Sequence, residues 1–188
     1  MAQIILITGG SRSGKSSHAQ KLAESMAGPR TYVATCPSVD DEMAARIAMH
    51  QAHRRAASWS TLEAPLGLPD ALRETRESRV RVVDCLTLWV NNLLFEAQKQ
   101  GQALTEDDMA SHCRNVLAAC SELDGTVIFV ANEVGMGIVP DNALSRQFRD
   151  LAGRCNQSIA AGSDCVILVV SGVPVCIKGT LTPATAET

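Results

Sequence analysis

Three observations predict an α/β fold with helices on both faces of a mostly parallel sheet. Short Val/Ile-rich runs recur along the chain and are near-continuously apolar, the pattern of strands buried on both faces. Long segments of helical periodicity separate them, as parallel strands require. The first run opens directly into Gly9-Gly10-Ser11-Arg12-Ser13-Gly14-Lys15-Ser16. That order of strand, glycine loop and helix selects the three-layer P-loop NTPase branch of the class.

Taken in order, residues 3–8 read as the first strand, the glycine loop follows, and 16–26 read as its helix. Residues 30–34 form a second strand, and roughly 40–56 a helix with acids in its first turn and arginines in its last, which suits the macrodipole. Pro65, Gly67 and Pro69 read as a surface excursion before a strand at 80–84. Helices follow at 86–100 and 106–121, then a strand at 126–131, a helix at 142–161 and a strand at 165–170. Residues 173–178 read as a final edge strand, where Pro174 is tolerated. The Thr/Ala-rich residues after Gly179 have little to bury. One catalytic domain over 1–179 with a disordered tail at 180–188 is the expected organisation.

At 188 residues the chain can bury a full core. A net charge of -3 offers no basic excess to displace counterions from nucleic acid. The apolar runs fall short of the roughly 20 residues a membrane span needs. The first strand is expected to start at Gln3, two residues after Met1, leaving no room for a cleavable signal. Seven cysteines without C-x-x-C spacing read as reduced thiols of a cytoplasmic protein rather than a zinc site.

The chemistry starts at the loop. Gly-x-x-x-x-Gly-Lys-Ser wraps backbone N–H groups around the phosphates of a nucleotide. Lys15 points at the β- and γ-oxygens, and Ser16 offers its hydroxyl to Mg²⁺. Asp84 ends an apolar strand, where a carboxylate would hold the metal opposite Ser16; a helix cap is its other reading. Glu133, after the strand at 126–131, is a rival acid. On the helix near 40–56, advancing about 100° per residue puts Met43, Ile47, His50 and Arg54 on one stripe, flanked by Arg46 and His53. Imidazole is a good nucleophile toward phosphorus, and the phosphoramidate it forms can pass its group onward.

Four blocks of sequence are more specific than these patterns. They are Thr8 to Ser16; Tyr32-Val33-Ala34-Thr35 with Asp41-Glu42-Met43 through Arg46-Ile47 to His50; Val83-Asp84-Cys85-Leu86-Thr87-Leu88-Trp89-Val90; and Asn132-Glu133-Val134-Gly135-Met136-Gly137-Ile138-Val139-Pro140 through Arg146, Phe148-Arg149-Asp150 and Asn156-Gln157. In these the chain resembles the bifunctional adenosylcobinamide kinase/adenosylcobinamide-phosphate guanylyltransferase family of cobalamin biosynthesis.

The resemblance implies two reactions. One phosphorylates the aminopropanol hydroxyl of adenosylcobinamide with ATP or GTP; the other moves GMP from GTP onto that phosphate through a guanylylated histidine. It places the nucleophile at His50, with His53 one helical turn on. It implies nucleotide contacts from Gly9 to Ser16, from Ala34, Thr35 and Cys36, from Gln51, Ala52, His53 and Arg54, and from Asp84, with Glu63 a weaker candidate. It further implies Mg²⁺ as cofactor, a corrinoid substrate, and a homo-oligomer, a trimer. A small-metabolite kinase without a covalent intermediate is the alternative.

Overall fold

The structure is a computed structural model that describes residues 1–36 and 59–180. Seven strands form one sheet in the order β3-β2-β4-β5-β1-β6-β7. They are β1 (Gln3–Gly9), β2 (Arg30–Ala34), β3 (Trp59–Glu63), β4 (Val80–Asp84), β5 (Thr126–Asn132), β6 (Cys165–Val170) and β7 (Val173–Lys178). All neighbours are parallel except β6 and β7, which form an antiparallel hairpin.

Alternate side chains of each central strand enter different cores, which is why these strands lack a polar period. Ile5, Ile7, Val82, Ile128, Val130 and Ile167 pack under α1 (Lys15–Glu24) with Ala19 and Ala23. Leu6, Val83, Val127 and Phe129 face the other layer. That layer consists of α2 (Leu68–Glu74), α3 (Leu86–Lys99), α4 (Glu106–Ser121) and α5 (Ala143–Gly162). The expected three-layer P-loop NTPase architecture is present, with element ends within one or two residues of their predicted positions. Among the described residues no helix is long and apolar enough to cross a membrane.

One expectation is corrected. Residues 65–69 are not simply a surface excursion: β3 precedes them and α2 begins at Leu68, which is fully buried with Leu72. The reason is local. Pro69 sits in the first turn of α2 behind Gly67 at the N-cap, where a missing N–H costs nothing. Only Pro65, Leu66 and Gly67 remain exposed. The helix expected near 40–56, the tail at 181–188, and with them His50, Gln51, Ala52, His53 and Arg54, lie outside the described residues.

At the opposite end from the glycine loop, Arg81 is fully buried in β4. Its Nε donates to Thr75 Oγ1 at 2.8 Å, Nη2 to Thr75 O at 2.7 Å and Nη1 to Asp124 O at 2.7 Å. One guanidinium therefore ties the end of α2 to the turn before β5. Thr75 O keeps its bond from Ser78 N and the Thr75 hydroxyl its bond to Leu72 O, so Arg81→Met is expected to strip its partner from Asp124 O and untie the two segments, at a cost on the order of 1–3 kcal/mol. A denaturant-melt midpoint unchanged from wild type would refute this.

Candidate functional site

The C-terminal ends of β1, β2, β4, β5 and β6 lie along one rim, the side on which open α/β sheets take ligands. Gly9 closes β1 there. A Cβ on Gly9 would collide with the carbonyl oxygen of Val169 and sit 2.8 Å from Ser13 Oγ, so the close approach of backbone to backbone requires glycine. Ser13 N donates to Gly10 O at 3.2 Å, closing the loop. Gly14, at φ +95, turns the chain into α1 as its N-cap.

Several features suit this loop to an anion. Lys15 is 8% exposed, and its Nζ donates to Gly10 O at 3.1 Å. Among the described residues no carboxylate lies within ion-pair distance of it. A buried cation whose partner is a neutral carbonyl is costly unless an anion joins it. The hydroxyls of Thr8 and Ser13 are also buried, with no partner among the described residues. The first turn of α1 has neither a side-chain cap nor an acid, so its N–H groups and the positive end of its dipole stay available to a bound anion. Ser16 is exposed on that first turn, as are Ser11, Arg12 and Gly10 on the loop.

The other expected groups that fall among the described residues lie on the same rim. Asp84 is in register with Ala34, and Ala34 with Glu63. Asp84 is not a helix cap, since α3 takes Cys85 as its N-cap. Instead Asp84 Oδ2 accepts a hydrogen bond from Tyr32 Oη at 2.8 Å. Thr35 is locked to the end of β4: its Oγ1 accepts from Cys85 N and donates to Cys85 O, both at 2.7 Å. Asn92 Nδ2 donates to Thr35 O at 2.8 Å, fixing the chain just before Cys36. Glu133 follows β5, the strand between β1 and β4. Its N donates to Gly9 O at 3.0 Å, and its Oε1 accepts from Gly135 N at 2.9 Å. Both candidate acids therefore border the loop, Glu133 on the adjoining strand and Asp84 one strand further.

Two features of the rim have no role in the sequence reading, although Tyr32 stands in one of its blocks. Tyr32 orients Asp84 across 52 positions of sequence; its only local signal is a polar-tipped aromatic two residues before the strand end. The turn of the β6–β7 hairpin supports the loop, Gly172 N donating to Ser13 O at 2.8 Å. Ser171 and Gly172 both have positive φ, 51° and 84°, the geometry of a tight two-residue hairpin. A Ser-Gly pair between Val-rich runs is the signal that could have found it. Cys85 is no rival nucleophile, because burial, followed by the Asp84 charge, pushes its thiol up to about 11.

The chain is similar to known proteins over most of its length. Residues 5–177 match the family model described as cobinamide kinase / cobinamide phosphate guanyltransferase. The bifunctional adenosylcobalamin biosynthesis protein CobU of Salmonella typhimurium is 43% identical over 182 residues, covering 93% of this chain and 99% of that protein. CobP, the bifunctional adenosylcobalamin biosynthesis protein of Pseudomonas aeruginosa, is 43% identical over 176 residues, covering 93% and 96%. Among solved structures, an ATPase of the type III secretion system of pathogenic bacteria superposes with a TM-score of 0.59 at 11% identity. The match covers 88% of this chain and spans half of that one, a likeness of fold alone.

Proposed function

The chain belongs to the cobinamide kinase / cobinamide phosphate guanyltransferase family, and from that membership we propose how its two transfers share one cradle. The enzyme is a bifunctional transferase of cobalamin biosynthesis, a kinase and a guanylyltransferase. The observation that carries the mechanistic reading is Lys15, a buried cation paired with a loop carbonyl and ready for phosphate oxygens.

In the kinase step the cradle from Gly9 to Ser16 holds the triphosphate, and Lys15 offsets charge on the γ-phosphoryl as the aminopropanol hydroxyl of adenosylcobinamide attacks it. Asp84 and Glu133 are the rim carboxylates able to take the hydroxyl proton. In the second step a neutral nitrogen of His50 attacks the α-phosphorus of GTP. A P–N bond forms, the bond to the bridging oxygen breaks, and pyrophosphate leaves. The phosphate of adenosylcobinamide phosphate then attacks the same phosphorus, and the P–N bond breaks to return free imidazole and adenosylcobinamide-GDP. Ala34, Thr35, Cys36 and Glu63 on the rim, with Gln51, Ala52, His53 and Arg54, complete the nucleotide contacts. His53 orients His50 or is the alternative nucleophile.

Ser16 and Asp84 would hold Mg²⁺ with the triphosphate. A hydroxyl and a carboxylate are the hard oxygen donors that this ion takes, and it would supply neutralisation of phosphate charge. The exposed outer edge of β7 leaves a row of backbone groups open to a second strand, which supports a homo-oligomer; a monomeric elution volume at assay concentration would remove that part.

The test supplies adenosylcobinamide with ATP alone, then adds GTP. The expected products are adenosylcobinamide phosphate in the first stage, and adenosylcobinamide-GDP with one equivalent of pyrophosphate in the second. Phosphate release from GTP in place of pyrophosphate would overturn the two-step scheme.

A further inference from the structure

One loop on the ligand side of the sheet carries an apolar surface that the cradle chemistry leaves unexplained. Between β5 and α5 the chain reads Val134-Gly135-Met136-Gly137-Ile138-Val139-Pro140. Ile138 is 97% exposed, Met136 80% and Val139 62%, and Leu144 on the first turn of α5 is exposed beside them in sequence. Single exposed apolar residues are ordinary. Three of them within four residues, on a loop that starts beside the cradle, are a candidate binding surface.

The segment is fastened at both ends. At its root Glu133 N is bonded to Gly9 O, and Gly135 N to Glu133 Oε1. At its far end Arg146 Nη1 donates to Pro140 O at 3.0 Å and to Asp141 O at 2.6 Å. Asn142 Oδ1 accepts from Ser145 N at 2.8 Å as the cap of α5. The apolar side chains are therefore presented to solvent on a loop tied down at both ends. Such tethering lowers the ordering cost of binding.

Building on the two-step reaction above, we propose that Met136, Ile138 and Val139 form the platform on which the corrin ring of the substrate lies. A macrocycle is too bulky to enter a loop shaped for phosphates, so it rests outside the cradle while its aminopropanol arm reaches in. Its methyl-bearing surface is apolar, which suits unbranched, polarizable Met136 and the aliphatic pair. Because Glu133 joins the platform to the first glycine of the loop, a ring seated there keeps its hydroxyl on the phosphate side. The hairpin side chains Val170 and Val173 are also exposed near the cradle. Val173 lies on β7, the sheet edge, with Val170 as its β6 partner, and open N–H and C=O groups there suit another strand better than a ring.

The experiment compares the full-length enzyme with Met136→Ser/Ile138→Ser and with the conservative Met136→Leu/Ile138→Val. The polar double variant is expected to raise KM for adenosylcobinamide in the kinase reaction at least tenfold, with KM for ATP, melting temperature and elution volume unchanged. The conservative variant is expected to stay within about twofold of wild type. An unchanged corrinoid KM in the polar variant overturns the proposal. A raised KM accompanied by a shift to smaller oligomers also overturns it, since the loop would then be a subunit contact. These readings use only ATP and the kinase step, so failure of the histidine route would show separately, as absence of guanylyl transfer in the wild-type enzyme.

Discussion

Replacing Lys15 by alanine is expected to reduce both the kinase and the guanylyltransferase rates by about a thousandfold or more. Both reactions proceed on a triphosphate in the same loop, so loss of its one buried cation cannot spare either. The same substitution carries a less obvious expectation for stability. In the free protein Lys15 is buried with Gly10 O as its partner, an arrangement that favours anion binding at the expense of the empty fold. Lys15→Ala should therefore melt at or above the wild-type temperature without nucleotide. It should also lose the rise that saturating GTP gives wild type, about 2.7 kcal/mol at a hundredfold excess over Kd. A variant that melts well below wild type, or keeps that rise, would show that Lys15 supports the fold rather than the phosphates.

The parts of this molecule that were legible in its sequence are those fixed by short-range chemistry. The loop from Gly9 to Ser16 encodes its own geometry, because Ser13 N turns back onto Gly10 O and Gly14 must take a positive φ. Strands buried on both faces announce themselves by apolar runs, and so β1, β4, β5 and β6 fall where expected. β3 does not. It is a sheet edge on which Trp59 is buried while Ser60, Thr61 and Glu63 are exposed, so it has neither an apolar run nor a clean alternation. The prolines beside it read as breakers although one of them starts a helix. Pairings between distant positions are invisible for a different reason. Tyr32 with Asp84, Thr35 with Cys85, and Gly172 with Ser13 depend on strand order, which no local pattern states. Asp84 is legible as the acid ending a strand, whereas the bond by which Tyr32 aims it is not.

Replacing His50 by alanine is expected to abolish transfer of GMP while leaving the kinase rate within a few-fold of wild type. The asymmetry follows from the bonds involved. Phosphorylation needs a positioned hydroxyl, a base and the cradle, none of which is an imidazole. Guanylyl transfer through an enzyme-bound intermediate needs a nucleophile that forms and then releases a bond to the α-phosphorus, and removing it deletes the path rather than slowing it. GTP labelled at the α-phosphorus separates this from a plain kinase. Label should remain on denatured wild-type protein, survive base and be lost in acid, as a phosphoramidate would, and His50→Ala should take up none. His53→Ala should keep the label if His53 only orients its neighbour, and lose it if His53 is the nucleophile. Production of adenosylcobinamide-GDP by His50→Ala at the wild-type rate would eliminate His50 and leave direct attack by the substrate phosphate on GTP, or His53, as the remaining routes.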